Sequence, residues 1–326
     1  MRIFLTGGTG YIGLALSRRL VAAGHEVRAL VRPTSHVEPL KRLGIATFTG
    51  DVADRASMRE GMSGADWVIH AAATVELGGP PEAMRRANVQ GSENVASLAW
   101  KLGVGRFLSV SSMAYFGGSP SDGSIADETA PLQTPFPTLY SATKHSGELA
   151  IQEWGKKGLK INTVYPSLVY GPPGKKEGAN AILRGFLRGR YPFLAGADRK
   201  TSWIYIDDLV EGMLEMMAKA PPGRNYLMAG DVTTLRSLVE RVCALGGVEP
   251  PHPYLSFPVG LARAGLVLSG PFFRLAGRRP PFTHEQLDSL ERHWAFSDAR
   301  ARAELDWHPR SLDEGLPPTV EFLKTH

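Results

Sequence analysis

The clearest candidates for chemistry in this chain are a tyrosine and a lysine, Tyr140 and Lys144, within a segment of helical pattern. Residues four apart lie on the same face of a helix, so the lysine ammonium can sit beside the phenol. A free phenol has a pKa of about 10 and is a poor base near neutrality. A nearby cation stabilises the phenolate and lowers that pKa. The pair is typical of a proton-transfer site; a surface tyrosine and lysine that merely share a helix are the alternative.

Two serines, Ser111 and Ser112, stand where the apolar run 107–110 ends. That run predicts a strand, and ligands in open α/β sheets bind beyond the carboxyl ends of the strands. A hydroxyl group there can hold a carbonyl or alcohol oxygen while a phenol moves the proton. Serines are also common in turns and caps, so these two alone do not establish a site.

Three glycines spaced three apart, Gly7, Gly10 and Gly13, lie between the apolar run 3–5 and a helical pattern. Strand, tight turn and helix in this order are typical of a dinucleotide site. Gly7 permits the turn, Gly10 lets the backbone approach a pyrophosphate, and Gly13 lets the helix pack against the strand. The N–H groups at the helix start then face the phosphates. An ordinary glycine-rich turn is the alternative.

Short apolar runs alternate with helical patterns over the first half of the chain. This alternation predicts an α/β fold, a Rossmann-type doubly wound parallel sheet with right-handed crossovers and a smaller C-terminal substrate-binding lobe. We assign 1–170 to the NAD(P)-binding domain, with 201–231 returning to it, and 171–200 and 232–326 to the lobe. The predicted strands are 3–5, 26–32, 46–49, 67–73, 107–111, 160–165 and 225–229, and the main predicted helices are 13–23, 84–102 and 138–155.

Composition excludes several classes of protein. The chain is 43% hydrophobic and 21% charged, which is typical of a globular protein. Its net charge of +5 comes from scattered basic residues with no run of five, which argues against nucleic acid as a partner. Cys243 is the only cysteine, and the histidines lack ligand spacing, so we expect neither a disulfide nor a metal site.

The most apolar later stretch, 257–276, is interrupted by charged residues, glycines and a proline. A bilayer span needs ~20 mostly uncharged residues, so we interpret this stretch as a buried or ligand-facing helix and expect no membrane span. The first strand begins within two residues of Met1, which leaves no room for a signal peptide. We expect a cytoplasmic protein.

Several motifs recur together in an order and spacing that resembles the extended short-chain dehydrogenases/reductases, the NAD(P)-dependent epimerase/dehydratase family. The C-terminal segments 296–300 and 304–309 also fit, so the resemblance spans nearly the whole chain. The motifs that carry it are 6–13, Asp51-Val52, 70–73, Asn88-Val89 with Gly91, Ser111-Ser112, Tyr140 with Lys144, and 166–172.

The resemblance implies a role for each matching residue. Tyr140 would be the catalytic acid/base, Lys144 its activator and ribose anchor, and Ser112 the substrate hydrogen-bonder. Ser112 is preferred to Ser111 because of its distance from the motif at 115–117. Asn88 matches a family asparagine that is mainly architectural. The residues implied in cofactor binding are Gly7, Thr9, Gly10, Tyr11, Ile12, Gly13, Asp51 and Val52 at the adenine, Ala71, Ala72 and Ala73 at the ribose, Tyr140, Lys144, and Pro166 and Val169 at the nicotinamide.

Cofactor preference is set just after the second strand. NAD-preferring proteins carry an acidic residue there for the ribose 2′-hydroxyl. Val31 takes that place and Arg32 follows, and a guanidinium suits a 2′-phosphate. Arg28, on the same strand face, could assist. We therefore expect NADP(H) as the preferred cofactor, with Arg32 as a binding residue; NAD(H) is the alternative, in which Arg32 is an edge arginine in water.

Departures from the family pattern narrow the reaction. Dehydratases place Asp-Glu after the hydroxyl residue, whereas Met113 and Ala114 stand here and cannot move a proton. Nucleotide-sugar epimerases usually have asparagine where Tyr165 stands and arginine where Thr201 stands. Both changes argue against a nucleotide sugar. Aromatic residues in the candidate pocket segments favour an apolar ligand; these are Phe136, Phe186, Tyr191, Phe193, Trp203 and Phe257.

The sequence thus predicts an NAD(P)(H)-dependent oxidoreductase that reduces a carbonyl, or oxidises a secondary alcohol, on an apolar or polycyclic small molecule. The pattern resembles the branch of the dihydroflavonol reductases, 3β-hydroxysteroid dehydrogenases and hopanoid-associated sugar epimerase-like proteins. A sugar epimerase of the same family and a non-catalytic NADP-binding regulatory protein are the alternatives. By the same resemblance, a homodimer could form through the helices at 88–102 and 140–154.

Overall fold

A seven-stranded sheet forms the centre of the computed structural model, and all of its neighbouring strands are parallel. The described residues are 1–75, 80–174, 177–191, 194–251, 256–257, 259–261, 263 and 283–326. In chain order the strands are β1 Arg2–Thr6, β2 Glu26–Val31, β3 Ala46–Thr49, β4 Trp67–His70, β5 Arg106–Val110, β6 Ile161–Pro166, β7 Leu168–Tyr170, β8 Leu194–Ala195, β9 Lys200–Tyr205, β10 Tyr226–Met228, β11 Asp231–Thr234 and β12 Ser256–Phe257.

The strand order of the main sheet is β10-β6-β5-β4-β1-β2-β3. The chain therefore winds outward in one direction from β1 to β3 and then in the other from β4 to β10, with the reversal between β1 and β4. This is the doubly wound arrangement, and it confirms the predicted α/β fold class. Two smaller sheets, β11-β9-β7 and β12-β8, lie outside it.

The helices occupy both faces of the main sheet. On one face α5 and α6 pack against each other, and on the other α1 packs against α8. The bounds are α1 Tyr11–Ala22, α2 Glu38–Arg42, α3 Arg59–Met62, α4 Pro81–Arg85, α5 Gly91–Lys101, α6 Leu139–Gly155, α7 Asn180–Leu187, α8 Ile206–Lys219, α9 Leu235–Gly246, α10 His284–Leu290, α11 Ala299–Leu305 and α12 Leu312–Thr325, with a π-helical turn at Arg86–Gln90 and short 3-10 turns at Ala56–Met58 and Met113–Phe116.

Side chains of β1 alternate between the two faces, as the period of a strand requires. Ile3 and Leu5 join the larger buried cluster, which includes α1 and α8, whereas Phe4 joins the cluster beneath α5 and α6. The C-terminal helices α11 and α12 also contribute to the larger cluster, so they share its core. The division into two lobes stays a prediction.

Two predicted elements differ from those observed. The strand predicted at 67–73 ends at His70, which lies opposite Thr6, the last residue of its partner β1. The helix predicted at 84–102 is interrupted by the π-helical turn. Most of the apolar stretch 257–276 lies outside the described residues.

Within the described ranges, no helix combines the length and apolar character that crossing a bilayer requires. The same part of the chain contains no group of three histidine, cysteine or acidic residues placed to hold a metal ion.

Candidate active site

The carboxyl ends of the central parallel strands meet at one edge of the sheet. Thr6 pairs with both Leu30 and His70, and His70 pairs with Ser109. The residues that follow these strands therefore come together, although they are far apart in sequence. They include most of the site predicted from sequence: the glycine turn, Arg32, Ala71–Ala73, Ser111 and Ser112.

The glycine turn is closely packed and depends on two of its glycines. Gly7 has a φ of 77°, and a Cβ there would lie 2.7 Å from backbone atoms of Ala71 and Ala72. A Cβ on Gly13 would overlap the carbonyl oxygen of Gly7. Gly13 therefore allows α1 to pack closely on the turn that follows β1, while its buried side chains share a core cluster with those of the strand.

The first turn of α1 has the features of an anion site. Gly10 is its N-cap, no side chain caps its N–H groups, and it contains no acidic residue. A Cβ on Gly10 would meet only the Gly7 oxygen, at 3.2 Å, so the backbone is open to a close approach. Thr9 and Ile12 beside it are half-buried. Unpaired N–H groups and the positive end of the helix fit a pyrophosphate.

Tyr11 contributes its backbone to this turn, but its side chain points elsewhere. The hydroxyl donates to Gly171 O at 2.5 Å and accepts from Asn180 Nδ2 at 3.4 Å. The prediction that Tyr11 binds the cofactor can therefore concern its N–H group only. Asn180 is fully buried and was missed from the sequence, where its position just after the glycines of 171–178 was the available signal.

The residues predicted to lie at the adenine and the ribose are in the loops that follow β3 and β4. Asp51 accepts from the N–H of Ala53 at 2.8 Å. Val52 is buried, and a Cβ on Gly91 would lie 2.6 Å from it, which explains the glycine. Of the three alanines after β4, Ala73 is exposed and the two before it are half-buried.

Arg32 lies directly beyond β2 with an exposed side chain. Its backbone N–H donates to Ser35 Oγ at 3.0 Å, and its guanidinium has no partner among the described residues. Arg28 cannot assist as predicted, because it pairs with Glu26 at 2.8 Å and donates to Ser63 O at 3.2 Å. Within the described ranges, Arg32 is thus a cation without a partner at this end of the site.

The catalytic candidates come together where β5 meets α6. Thr138 Oγ1 caps α6 by accepting from Ser141 N at 3.0 Å, which places Tyr140 in the first turn. The side chain of Ser112 hydrogen-bonds the Tyr140 phenol. One turn further, Lys144 Nζ donates to Val110 O at 3.0 Å.

The protonation behaviour of this group differs from the sequence-based expectation. Burial raises the pKa of the Tyr140 phenol, and the hydrogen bond from Ser112 opposes that rise only in part. Burial lowers the pKa of Lys144 to about 8, against an opposing effect of Glu148. The lysine was expected to lower the phenol's pKa. In the folded protein the burial of the Tyr140 phenol has the larger effect on its pKa. The Lys144 ammonium donates to Val110 O.

Two buried polar residues fix the surroundings and received no catalytic role from sequence. Asn88 exchanges two hydrogen bonds with the backbone of Thr74 and donates to Thr143 Oγ1 at 3.1 Å, so it ties the loop after β4 to α6. His70 contacts Thr6 Oγ1 at 2.8 Å and Ser92 Oγ at 3.1 Å. Both contacts are architectural, as expected for Asn88.

Tyr140 packs against a buried cluster that is mostly apolar and aromatic; its members include Met113, Ala114, Phe116, Tyr165, Trp294 and Phe296. Of the predicted pocket residues, Phe136 lies next to this cluster, with its ring centroid 5.1 Å from that of His145 and the two rings tilted. Phe186 and Tyr191 pack together elsewhere, and Trp203 is in the main core. Those three are therefore core residues. The side chains of Phe193 and Phe257 lie outside the described part of the chain.

Comparison with known proteins agrees with this geometry. A model of the NAD dependent epimerase/dehydratase family matches residues 3–229. A 2-alkyl-3-oxoalkanoate reductase of Stenotrophomonas maltophilia is 30% identical over 97% of both chains. A 4-hydroxy-2-methyl-3-oxo-4-farnesyl-3,4-dihydroquinoline-1-oxide ketoreductase of Stigmatella aurantiaca is 30% identical over 96% of this chain and 95% of that protein.

A 3-beta-hydroxysteroid dehydrogenase of Mycolicibacterium neoaurum is 26% identical over 99% of this chain and 93% of that protein. Among solved structures, that of gox2253 has a TM-score of 0.86 at 27% identity and covers 99% of this chain and 98% of that one. These relatives confirm the resemblance and its reductase branch. The chain belongs to the NAD dependent epimerase/dehydratase family, the extended short-chain dehydrogenases/reductases, and is an NAD(P)-dependent oxidoreductase.

Proposed function

We propose that the protein reduces a ketone on an apolar or polycyclic small molecule with NADPH, or oxidises the corresponding secondary alcohol. The proposal rests on the hydrogen bond between Ser112 and the Tyr140 phenol, one helical turn before Lys144 and packed against an aromatic cluster. A pure sensor of NADP would have no need of a positioned phenol. The names of the reductase relatives support a carbonyl substrate.

The bound nucleotide would supply a hydride to the substrate carbon. Ser112 would hold the carbonyl oxygen by a hydrogen bond. Tyr140 would donate its phenolic proton to that oxygen as negative charge develops there. Lys144 would stabilise the phenolate that remains and hold the ribose, and Pro166 and Val169 would border the nicotinamide.

Neighbouring residues make dehydration and sugar epimerisation less suitable. Met113 and Ala114 are buried and apolar, so neither can assist an elimination. The ring centroid of Tyr165 lies 5.2 Å from those of Tyr115 and Phe116. An aromatic ring therefore occupies the place where nucleotide-sugar epimerases usually have asparagine. An apolar ligand fits such surroundings better than a sugar does.

The test is a panel of carbonyl substrates assayed by the absorbance of reduced nicotinamide. The panel contains a 2-alkyl-3-oxoalkanoate, a 3-ketosteroid, a dihydroflavonol and UDP-glucose. We expect continuous NADPH oxidation with at least one ketone and none with UDP-glucose. Interconversion of the sugar without net oxidation would instead establish an epimerase.

We also propose that Arg32 recognises the 2′-phosphate of NADP(H). Replacing it with aspartate removes a charge-assisted hydrogen bond and adds repulsion, so the preference for NADPH over NADH should fall by about 10- to 100-fold. The ratio of kcat/KM for the two cofactors measures this. The matched control is Arg28→Ala, which removes a basic side chain from β2, the strand that directly precedes Arg32. It should leave the ratio of kcat/KM unchanged. An unchanged ratio in R32D would place phosphate recognition elsewhere.

The outer faces of α5 and α6 expose two large apolar side chains, Trp100 at 42% and Leu149 at 50%. Exposed apolar side chains on two neighbouring helices suit a subunit interface. We propose a homodimer through this face, for which sedimentation velocity is the direct measurement.

A further inference from the structure

A carboxyl group is buried one helical turn beyond Lys144. Glu148 lies on the inner face of α6 and is only 3% exposed. Glutamate is almost never buried to this extent without partners. The mechanism proposed above gives this residue no role.

Three donors from three elements hold the Glu148 carboxylate. Ser109 Oγ of β5 donates to Oε2 at 2.9 Å, and Thr163 Oγ1 of β6 donates to Oε1 at 2.5 Å. Gln152 Nε2, one turn along α6, donates to Oε1 at 2.8 Å. Both carboxyl oxygens of Glu148 therefore accept hydrogen bonds.

The carboxylate lies on the same helix face as Lys144 and Tyr140, since the three residues are spaced by four. Consecutive residues of β5 also bind the two groups. Ser109 Oγ donates to the Glu148 carboxylate, and the carbonyl oxygen of Val110 accepts from Lys144 Nζ. The line phenol, ammonium, carboxylate therefore runs down one buried face of α6.

Other titratable groups that face this line carry no compensating charge. From β4, His70 has its pKa lowered to about 3 by burial and by Lys144, so it is neutral. Burial raises the pKa of Tyr115 and of Tyr165, which leaves both phenols protonated. Burial lowers the pKa of His145, which leaves that imidazole neutral near pH 7. Among the described groups around Lys144, the acidic side chain that acts on its ammonium is Glu148.

We propose that Glu148 is a positioning residue that keeps Lys144 protonated, and so maintains the cation beside Tyr140. A buried lysine without a nearby anion loses its proton, because a charged group in an apolar surrounding is disfavoured. The catalytic consequence rests on the proposed function. The effect of Glu148 on the charge of Lys144 does not.

The direct test titrates Lys144 in the protein without nucleotide. Competitive labelling with trace acetic anhydride across a range of pH, read by peptide mass spectrometry, gives the pKa of the amine. We expect Glu148→Gln to lower the pKa of Lys144 from about 8 by roughly one unit or more. In turnover assays the alkaline limb of carbonyl reduction should move to lower pH by the same amount.

Two variants separate charge from structure. Thr163→Val removes a hydrogen bond but keeps the carboxylate, so the pKa of Lys144 should stay near its wild-type value. Glu148→Asp keeps the charge and should restore most of the lysine's pKa. An unchanged pKa in E148Q, or an equal fall in T163V, would overturn the proposal. Should E148Q fail to fold, Glu148→Met removes the same charge with a side chain of similar volume. The pKa of Lys144 should then fall by as much as in E148Q, and an unshifted pKa in E148M would overturn the proposal.

This readout is independent of the substrate. A protein that reduces none of the carbonyl compounds tested would refute the proposed function and leave the titration of Lys144 interpretable. Normal reduction with an unshifted lysine in E148Q would do the reverse.

Discussion

Replacing Tyr140 with phenylalanine should lower kcat for carbonyl reduction by about 10²- to 10⁴-fold, the range that a positioned acid/base contributes. The substitution removes one oxygen and keeps the ring that packs on the aromatic cluster. Affinity for the dinucleotide should therefore stay within a few-fold of wild type. Steady-state kinetics and calorimetric titration with NADPH measure the two quantities.

The matched control is Tyr115→Phe. Tyr115 packs against the same cluster, and its ring centroid lies 4.9 Å from that of His145 with the two rings tilted. Among the described residues its hydroxyl has no contact with Ser112. Its removal should leave kcat close to wild type. Full activity in Y140F would remove the phenol from the mechanism, and equal losses in both variants would mean that the cluster as a whole, and not one proton donor, was disturbed.

Replacing Gly13 with alanine should damage stability and cofactor binding together. The added Cβ would overlap the Gly7 carbonyl oxygen. The backbone fixes the position of both atoms, so neither can rotate away. Forced repacking of this kind costs about 1–3 kcal/mol of unfolding free energy. Displacement of the turn also misaligns the N–H groups of α1, and loss of charge-assisted hydrogen bonds should weaken dinucleotide binding at least about 10-fold.

Gly24→Ala is the comparison for the Gly13 variant. Gly24 has a φ of 78°, but no atom lies within 4 Å of the position of its Cβ. Alanine there strains the backbone at a cost of roughly 1 kcal/mol and should leave the affinity for NADPH unchanged. Denaturant unfolding and calorimetry measure both variants. Wild-type stability and affinity in G13A would mean that α1 does not pack on the turn.

Much of the fold follows from local patterns. Alternation of apolar runs and helical segments gave a doubly wound parallel sheet, and the observed strand order agrees with it. Element ends were less well predicted, because hydrogen bonds between distant segments set them. β4 is an example: it ends at His70, opposite Thr6, where its distant partner β1 also ends.

The candidate site divides in the same way. Tyr140, Lys144 and the glycine turn became candidates because short-range geometry defines them: a spacing of four on a helix, and a spacing of three across a turn. Arg28 was misassigned, because its position on the strand is local information but its pairing with Glu26 and Ser63 is not.

The sequence by itself therefore determined the class of fold, and it indicated the glycine turn and the Tyr140 and Lys144 pair on which the proposed function rests. Only the tertiary structure decided the direction of the Tyr11 side chain, the burial of Glu148 and the raised pKa of Tyr140. The physical reason is that backbone periodicity is encoded over a few residues. Desolvation and hydrogen-bond partners depend on which distant strands and helices enclose a side chain.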